Sequence, residues 1–286
     1  MIPKHYIKKL NKEFGISQID ERKYVKAHLE FGNHRHEFYE LLIITDGNGI
    51  HQIDFIDYEI ESPTITFLAP GQIHNLEKAK INSCIVLIFN DFDLKKEKEN
   101  ISLLKQLYLM FNQLPILCLD DIQLTELKQT LYIVGNELKK SNSNRNILYH
   151  SVSLLLYQIL VSCKEVPNSK ISGTKINKTR YFEFLELVEN NYTKEHSVRF
   201  YAKKMNIDPK RLNEFTKIAS GENALLLIQK RLLIEAKRQL FYSKQSVKEI
   251  AYHLGFEDVS YFSKFFQNHI GVRPTTFQQS NPESTT

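Results

Sequence analysis

The feature that most constrains this chain is a short pattern that occurs twice near its C-terminal end, about 50 residues apart. The first copy, SVRFYAKKMNIDPKRLNEFTKIASG (197–221), opens on Ser197 as a helix N-cap candidate, followed by Val198, Tyr201 and Ala202 on one helical face. Asn206-Ile207 turn the chain. Asp208 then caps a second helix with Pro209 at its first position, where a missing amide proton is no loss. Leu212 and Phe215 point inward. The second copy, SVKEIAYHLGFEDVSYFSKFFQNHIG (246–271), has Ser246 as cap and Val247, Ile250, Ala251 and Leu254 as the inner stripe. Gly255 ends its first helix, Asp258 caps the next, and Phe262, Phe265 and Phe266 face in. Between the copies, residues 223–241 read as one helix of about 28 Å at 1.5 Å per residue.

Two short-helix, turn, helix units on a fixed connecting helix match helix-turn-helix binding of double-stranded DNA. An α-helix fits the major groove, and a rigid connector can hold two recognition helices about one DNA turn (~34 Å) apart. The inward residues leave Lys210, Arg211, Asn213, Glu214 and Lys217 towards the outside of the first unit. In the second they leave Val259, Ser260, Ser263, Lys264 and Gln267 along other faces. Lys, Arg, Asn and Ser offer what base edges and phosphates need, whereas the Glu214 carboxylate suits cytosine N4 but repels phosphate. Charge follows the same division. The whole chain is only +5, but residues 194–273 carry 15 Lys/Arg against 8 Asp/Glu.

The first 90 residues read as strands: KYVKAHL, EFYELLIIT, IHQIDFIDY, TITFLAP and SCIVLIF, separated by turn-forming residues. Asp46-Gly47-Asn48-Gly49 predicts a hairpin turn. Many short strands with tight turns suggest a barrel or jelly roll. After residues 93–100 the pattern becomes helical, with Leu103, Leu104, Leu107 and Phe111 at three- and four-residue steps. Helices at Leu124–Lys139 and Ile147–Cys163 form a hairpin. The hairpin either caps the barrel or serves dimerisation, the latter because Leu154, Leu155, Tyr157, Ile159 and Leu160 cover more than one face of its second helix. Residues 164–178, polar and aperiodic with Pro167 and Gly173, predict a linker.

Within the strand-rich part, His34, His36 and Glu40 share parity along a strand, which places them on one face, and His74 follows in Pro70-Gly71-Gln72-Ile73-His74. Two imidazole-bearing segments and a carboxylate suit a metal, a polar ligand pocket, or structural hydrogen bonding. Three cysteines, Cys84, Cys118 and Cys163, fit a reducing compartment better than a disulfide framework. The N-terminus lacks the apolar core of a secretory signal, and the longest apolar run, Leu154–Val161, is short of the ~20 residues of a membrane span. A soluble, cytoplasmic protein is expected. No phosphate-cradling glycine loop, nucleophile elbow or zinc-finger spacing occurs.

Residues about 180–280 resemble the DNA-binding domain of the AraC/XylS family of bacterial transcription regulators. The resemblance rests on IA-x-x-x-GF, the Tyr-Phe-Ser-x-x-Phe run and the ending Gly271, Pro274, Phe277, with KRLLIEAKRQL as connecting helix and LNEFTKIASG as first recognition helix. The His34–Gly47 and Pro70–His74 segments resemble the two cupin motifs, with Ala69 and Lys78 departing from the usual pattern. The resemblance implies an all-β cupin-like sensor barrel with a helical hairpin (1–163), a linker (164–178) and an all-α DNA-binding domain with two helix-turn-helix units (179–286). It also implies a homodimer on promoter DNA that contacts RNA polymerase, more often an activator than a repressor, and no enzymatic role or cofactor. By position within those motifs, the resemblance implies that Lys210, Asn213, Glu214, Lys217, Val259, Ser260, Ser263 and Lys264 meet DNA, with Arg211 and Gln267 beside them, and that His34, His36, Glu40 and His74 bind the effector. The alternative is a metal-dependent cupin enzyme, with those four as metal ligands and the helical part as an accessory domain.

Overall fold

The computed structural model describes residues 16–19, 32–90, 98–165 and 175–280. The chain divides into two compact units, Met1–Ser169 and Lys170–Thr286. The expected strand KYVKAHL lies outside the described residues.

The first unit is built on an antiparallel sheet of β1 (Ile16–Ile19), β2 (Tyr39–Ile53), β3 (Ile56–Glu61), β4 (Thr64–Leu68), β5 (His74–Asn75), β6 (Ala79–Phe89) and β7 (Leu117–Cys118). Strand order is β1-β6-β2-β4-β7, with β3 and β5 also paired to β2, so the sheet curls as a half-barrel. Leu41, Leu42, Ile43 and Ile44 of β2 are all buried because both faces of the strand are covered. Leu42 and Ile44 look inward with Cys84, Val86 and Ile88. The opposite face pairs Leu41 with Phe67 and Leu87 and lies under α1 (Lys98–Gln113), whose Phe111 ring is 5.8 Å from Phe67.

The expected hairpin at 46–49 does not form: β2 runs straight through it. The ladder with β6 instead slips, pairing Ile44 with Cys84, Asp46 with Ser83 and Gly47 with Ile81. Glycine serves backbone approach here rather than reversal. A Cβ on Gly47 would lie 2.7 Å from the Lys80 carbonyl oxygen, and one on Gly49 2.5 Å from that of Lys78. The slip flips the inward parity of both strands. Even-numbered residues face in before it, and Gly49 then pairs with Ala79 and Ile60, two members of the inner core. Reversal comes at Asp54-Phe55, both at positive φ (50° and 65°), which splits the expected strand 50–58.

Helices α2 (Asp121–Lys139) and α3 (Arg145–Glu165) pack together as the predicted hairpin, α2 starting earlier than expected because Asp120 and Gln123 form a capping box. By length and composition Arg145–Cys163 would suffice to cross a membrane. Leu148, Val152, Leu155, Leu156 and Ile159 are nevertheless buried within the unit, as in a core helix. Of the predicted dimerisation residues, Leu155, Ile159 and Leu160 serve this core, whereas Leu154 and Tyr157 are exposed. Segment 164–178 begins and ends in helix, since α3 reaches Glu165 and α4 (Lys175–Asn191) starts at 175; 166–174 lie outside the described residues.

Every described element of the second unit is helical: α4, α5 (Val198–Lys204), α6 (Pro209–Ser220), α7 (Ala224–Tyr242), α8 (Val247–His253), α9 (Val259–Ile270) and α10 (Pro274–Gln279). The connector α7 serves two cores. Leu227 and Ile228 are buried towards its start, while Leu232, Leu233, Ala236 and Leu240 join Phe256, Phe262, Phe265 and Phe266 in one cluster.

The close approach at Gly49 has a measurable consequence. Gly49→Ala, placing a Cβ against β6 at a φ of +131°, is expected to destabilise the first unit by roughly 1–3 kcal/mol in urea unfolding. An unchanged midpoint would show that the β2–β6 approach is relaxed.

Candidate nucleic-acid interface and ligand site

Both helix-turn-helix units are set by local chemistry that the structure makes explicit. The Ser197 and Ser246 side chains accept the amides of Phe200 and Glu249, and Glu249 completes a capping box. At the turns, Asn206 and Gly255 take positive φ of 54° and 80°. Asp208 accepts the Arg211 amide at 3.0 Å and Asp258 that of Tyr261 at 2.6 Å, which starts α6 and α9; Gly221 and Gly271 end them in left-handed geometry. Gly255 is needed for a second reason, because a Cβ there would overlap the Thr193 carbonyl oxygen. His196 Nε2 donates to the Leu254 carbonyl at 2.9 Å in the same place, with its ring 5.0 Å from Phe256. The second turn is thereby tied to the loop that follows α4.

Of the predicted DNA-facing residues, Lys210, Arg211, Glu214 and Lys217 on α6 and Ser260, Lys264 and Gln267 on α9 are exposed. Ser263 is half-buried. Asn213 is half-buried too, and its Oδ1 accepts the Ala224 amide at 3.0 Å, so that oxygen is already used at the start of α7. Val259 packs against the aromatic cluster of the second unit rather than lying open. Tyr261, which the apolar pattern assigns to neither core nor interface, is 65% exposed. Some of the basic excess is structural. Arg231 forms a bidentate pair with Glu189 (2.6 and 2.9 Å) and lies 3.9 Å from the Tyr192 ring centroid, and Arg238 is buried.

The polar site of the first unit is drawn together from three segments. Glu40 lies on β2, facing inward beside Leu42. His34 and His36 precede the strand instead of alternating along it, and His34 is bridged to His74 through both backbone hydrogen bonds (3.1 and 2.9 Å). Gln72 and Asp54 shape the loop that delivers His74: Gln72 Oε1 accepts the Ala69 amide at 2.7 Å and Asp54 Oδ1 that of Ile73 at 3.3 Å. All four predicted residues are buried. Ligand atoms of His36, Glu40 and His74 lie within 4.8 Å of one another, and His34 stands outside this group. Its Nδ1 donates to the Gly32 carbonyl at 2.9 Å, and its ring leans on that of His74 at 4.2 Å.

His51, which the sequence pattern does not single out, is also part of the cluster, with Nε2 3.3 Å from His74 Nδ1. The signal is a histidine on an inward register position, and it is readable only once the parity flip in β2 is known. Burial pushes the His36 and His51 imidazoles down to about 3, and lowers His34 for the same reason. His36 is therefore neutral. Its Nδ1 donates to the Phe38 carbonyl at 2.7 Å, so Nε2 carries a lone pair and faces Glu40 Oε2 at 3.7 Å, without a hydrogen-bond partner among the described residues. A proton on the carboxyl, a donor group of a bound molecule, or a metal cation would each satisfy this arrangement.

A family model of a helix-turn-helix domain matches residues 201–280, and one of an AraC-like ligand-binding domain matches 26–134. The chain belongs to the AraC family. It is thus a DNA-binding transcription regulator that responds to a small-molecule effector. This AraC-family chain is 25% identical over 85% of its length to the HTH-type transcriptional activator RhaS of Mannheimia succiniciproducens, covering 88% of that protein. It is 24% identical over 89% of its length to RhaS of Enterobacter sp., covering 90%. A structure of ToxT from Vibrio cholerae aligns over 93% of the chain and 97% of its own, with 15% identity and a TM-score of 0.43.

The neutral histidines give the AraC-family sensor a defined acid response. Below about pH 6.5 the unfolded chain takes up protons that folded His36 and His51 refuse until about pH 3. Stability of the first unit should therefore fall with pH through that window, by roughly 1.4 kcal/mol per pH unit for each histidine. Urea midpoints measured from pH 7 to 4 test this; His51→Gln should reduce the slope by one proton, and equal slopes would refute the burial argument.

Proposed function

We propose that this chain activates transcription at specific promoters when a small molecule occupies the buried polar cluster of its first unit. His34, His36, Glu40 and His74 contact the effector, and His51 positions His74. The observation that carries the DNA-binding half is the pair of capped recognition helices on one connector, with open polar faces. Lys210, Arg211, Glu214 and Lys217 on α6 and Ser260, Ser263, Lys264 and Gln267 on α9 meet the duplex; Asn213 serves mainly the start of α7 and Val259 the aromatic cluster of the second unit. The mechanism is linkage: an effector that binds one promoter-competent state more tightly shifts the population towards it. Residues 1–163 form the sensor, 164–178 the connection and 179–286 the reader. The protein works in the cytoplasm as a homodimer on promoter DNA, with RNA polymerase as its further partner, and has no enzymatic role. The exposed Leu154, Tyr157 and Val161 of α3 offer an apolar stripe for the dimer interface.

Mapping the DNA bound by the full-length protein in its host should find discrete promoter sites, with Ser260→Ala altering which bases are preferred. A uniform distribution along the genome would overturn the regulator reading. Glu40→Gln should abolish the response to effector while leaving binding to those sites intact.

A second reading of the cluster is supported by the close approach of the His36, Glu40 and His74 ligand atoms, which suits a divalent cation. Metal analysis of the purified protein decides it. Stoichiometric metal that disappears in His36→Ala would establish this reading, and metal-free protein that still responds to effector would exclude it.

A further inference from the structure

The two helix-turn-helix units share a backbone plan but not a surface. Counted from the caps Ser197 and Ser246, Arg199, Lys203 and Lys204 of α5 stand where α8 has Lys248, Tyr252 and His253. Counted from Asp208 and Asp258, each of which accepts the amide three residues on, Lys210, Arg211 and Lys217 stand where α9 has Ser260, Tyr261 and Gln267. All twelve of these side chains are exposed. Residues 197–221 hold six basic and two acidic residues, a net +4, whereas 246–271 hold two and three, a net −1. One of those two cations, Lys248, lies 6.0 Å from the Tyr252 ring centroid. The basic character of the reader is thus concentrated in its first unit.

Phosphate attraction scales with the number of cations that replace condensed counterions, so a segment of net −1, whose recognition helix carries Lys264 as its one Lys or Arg, draws little from it. What such a face offers is hydroxyls, an amide and an aromatic ring, groups suited to base edges and to the thymine methyl. Tyr261 is the clearest case. Its ring is 65% exposed on the first turn of α9, although burial would be favourable, and it is braced 5.9 Å from Phe256, itself packed in the core. A braced, solvent-facing aromatic at the leading end of a recognition helix is arranged to be covered by a partner.

Resting on the DNA-binding reading above, we propose that the two units divide recognition. The first supplies the phosphate-neutralising charge, and the second discriminates sequence, with Tyr261 as a specificity-determining residue for a thymine-containing step.

The test uses full-length protein in two assays: affinity for a random-sequence duplex across a salt series, and enrichment of a motif from a randomised duplex pool. The triple change Lys203→Gln, Lys210→Gln, Lys217→Gln should reduce the slope of log K against log salt by about 0.9 for each phosphate no longer neutralised, and leave the motif unchanged. Tyr261→Ala should do the opposite, keeping the slope and losing base preference in one half of the motif. Tyr261→Phe should retain the thymine preference, since the ring remains. Thermal melts confirm that each variant is folded, as expected for exposed positions. A triple variant with an unaltered slope, or a Tyr261→Ala protein with an unaltered motif, overturns the division of labour. A wild-type protein that enriches no motif instead overturns the regulator reading itself, and the division with it.

Discussion

Both functional regions depend on one constraint: two backbones meet more closely than a Cβ allows. In the first unit Gly47 and Gly49 let β2 press against Lys78 and the start of β6, and the ladder slips on both strands at once. The slip turns His51 to the same side as Glu40, where it meets His74. In the second unit Gly255 lets the second turn sit on the Thr193 carbonyl, with His196 bonded to Leu254 beside it. Placing a side chain at either approach would force the backbones apart and move the groups they position.

The two regions then use electrostatics in opposite regimes. Around His36 and His51 water is excluded, so the imidazoles stay neutral and a lone pair faces a carboxyl at short range. Small changes there, such as one donor group or one cation, act at low screening and so carry a large differential energy. On α5 and α6 the cations are solvated, individually weak and additive, which suits attraction to a phosphate lattice that needs no fixed geometry. Selectivity for a ligand belongs to the first regime and broad affinity for a duplex to the second.

Much of the reader is legible in the sequence because its signals are local. Ser197, Asp208, Ser246 and Asp258 cap the helices expected of them, and each cap is decided by a side chain and an amide three residues away. The inward Leu212, Phe215, Phe262, Phe265 and Phe266 follow from helical period alone. Helical phase misplaces Asn213 and Val259, because an outward position does not reveal a neighbouring helix start or an aromatic cluster. The polar cluster is half legible. Its four named residues are all buried, but His34 is placed by a loop bridge to His74 and His36 by the Gly71 amide on its carbonyl, not by strand alternation.

What the sequence by itself determined is the inventory: capped helices, their inner faces, the glycines, and the histidines and carboxylate available for a site. Only the tertiary structure decided that 46–49 is a slipped ladder and not a turn, that His51 joins Glu40 and His74, and that Tyr261 stays in solvent while Val259 does not. The physical reason is range. Capping and helical phase are settled within four residues, whereas parity after a bulge and burial at a helix edge depend on which distant backbone comes to lie alongside.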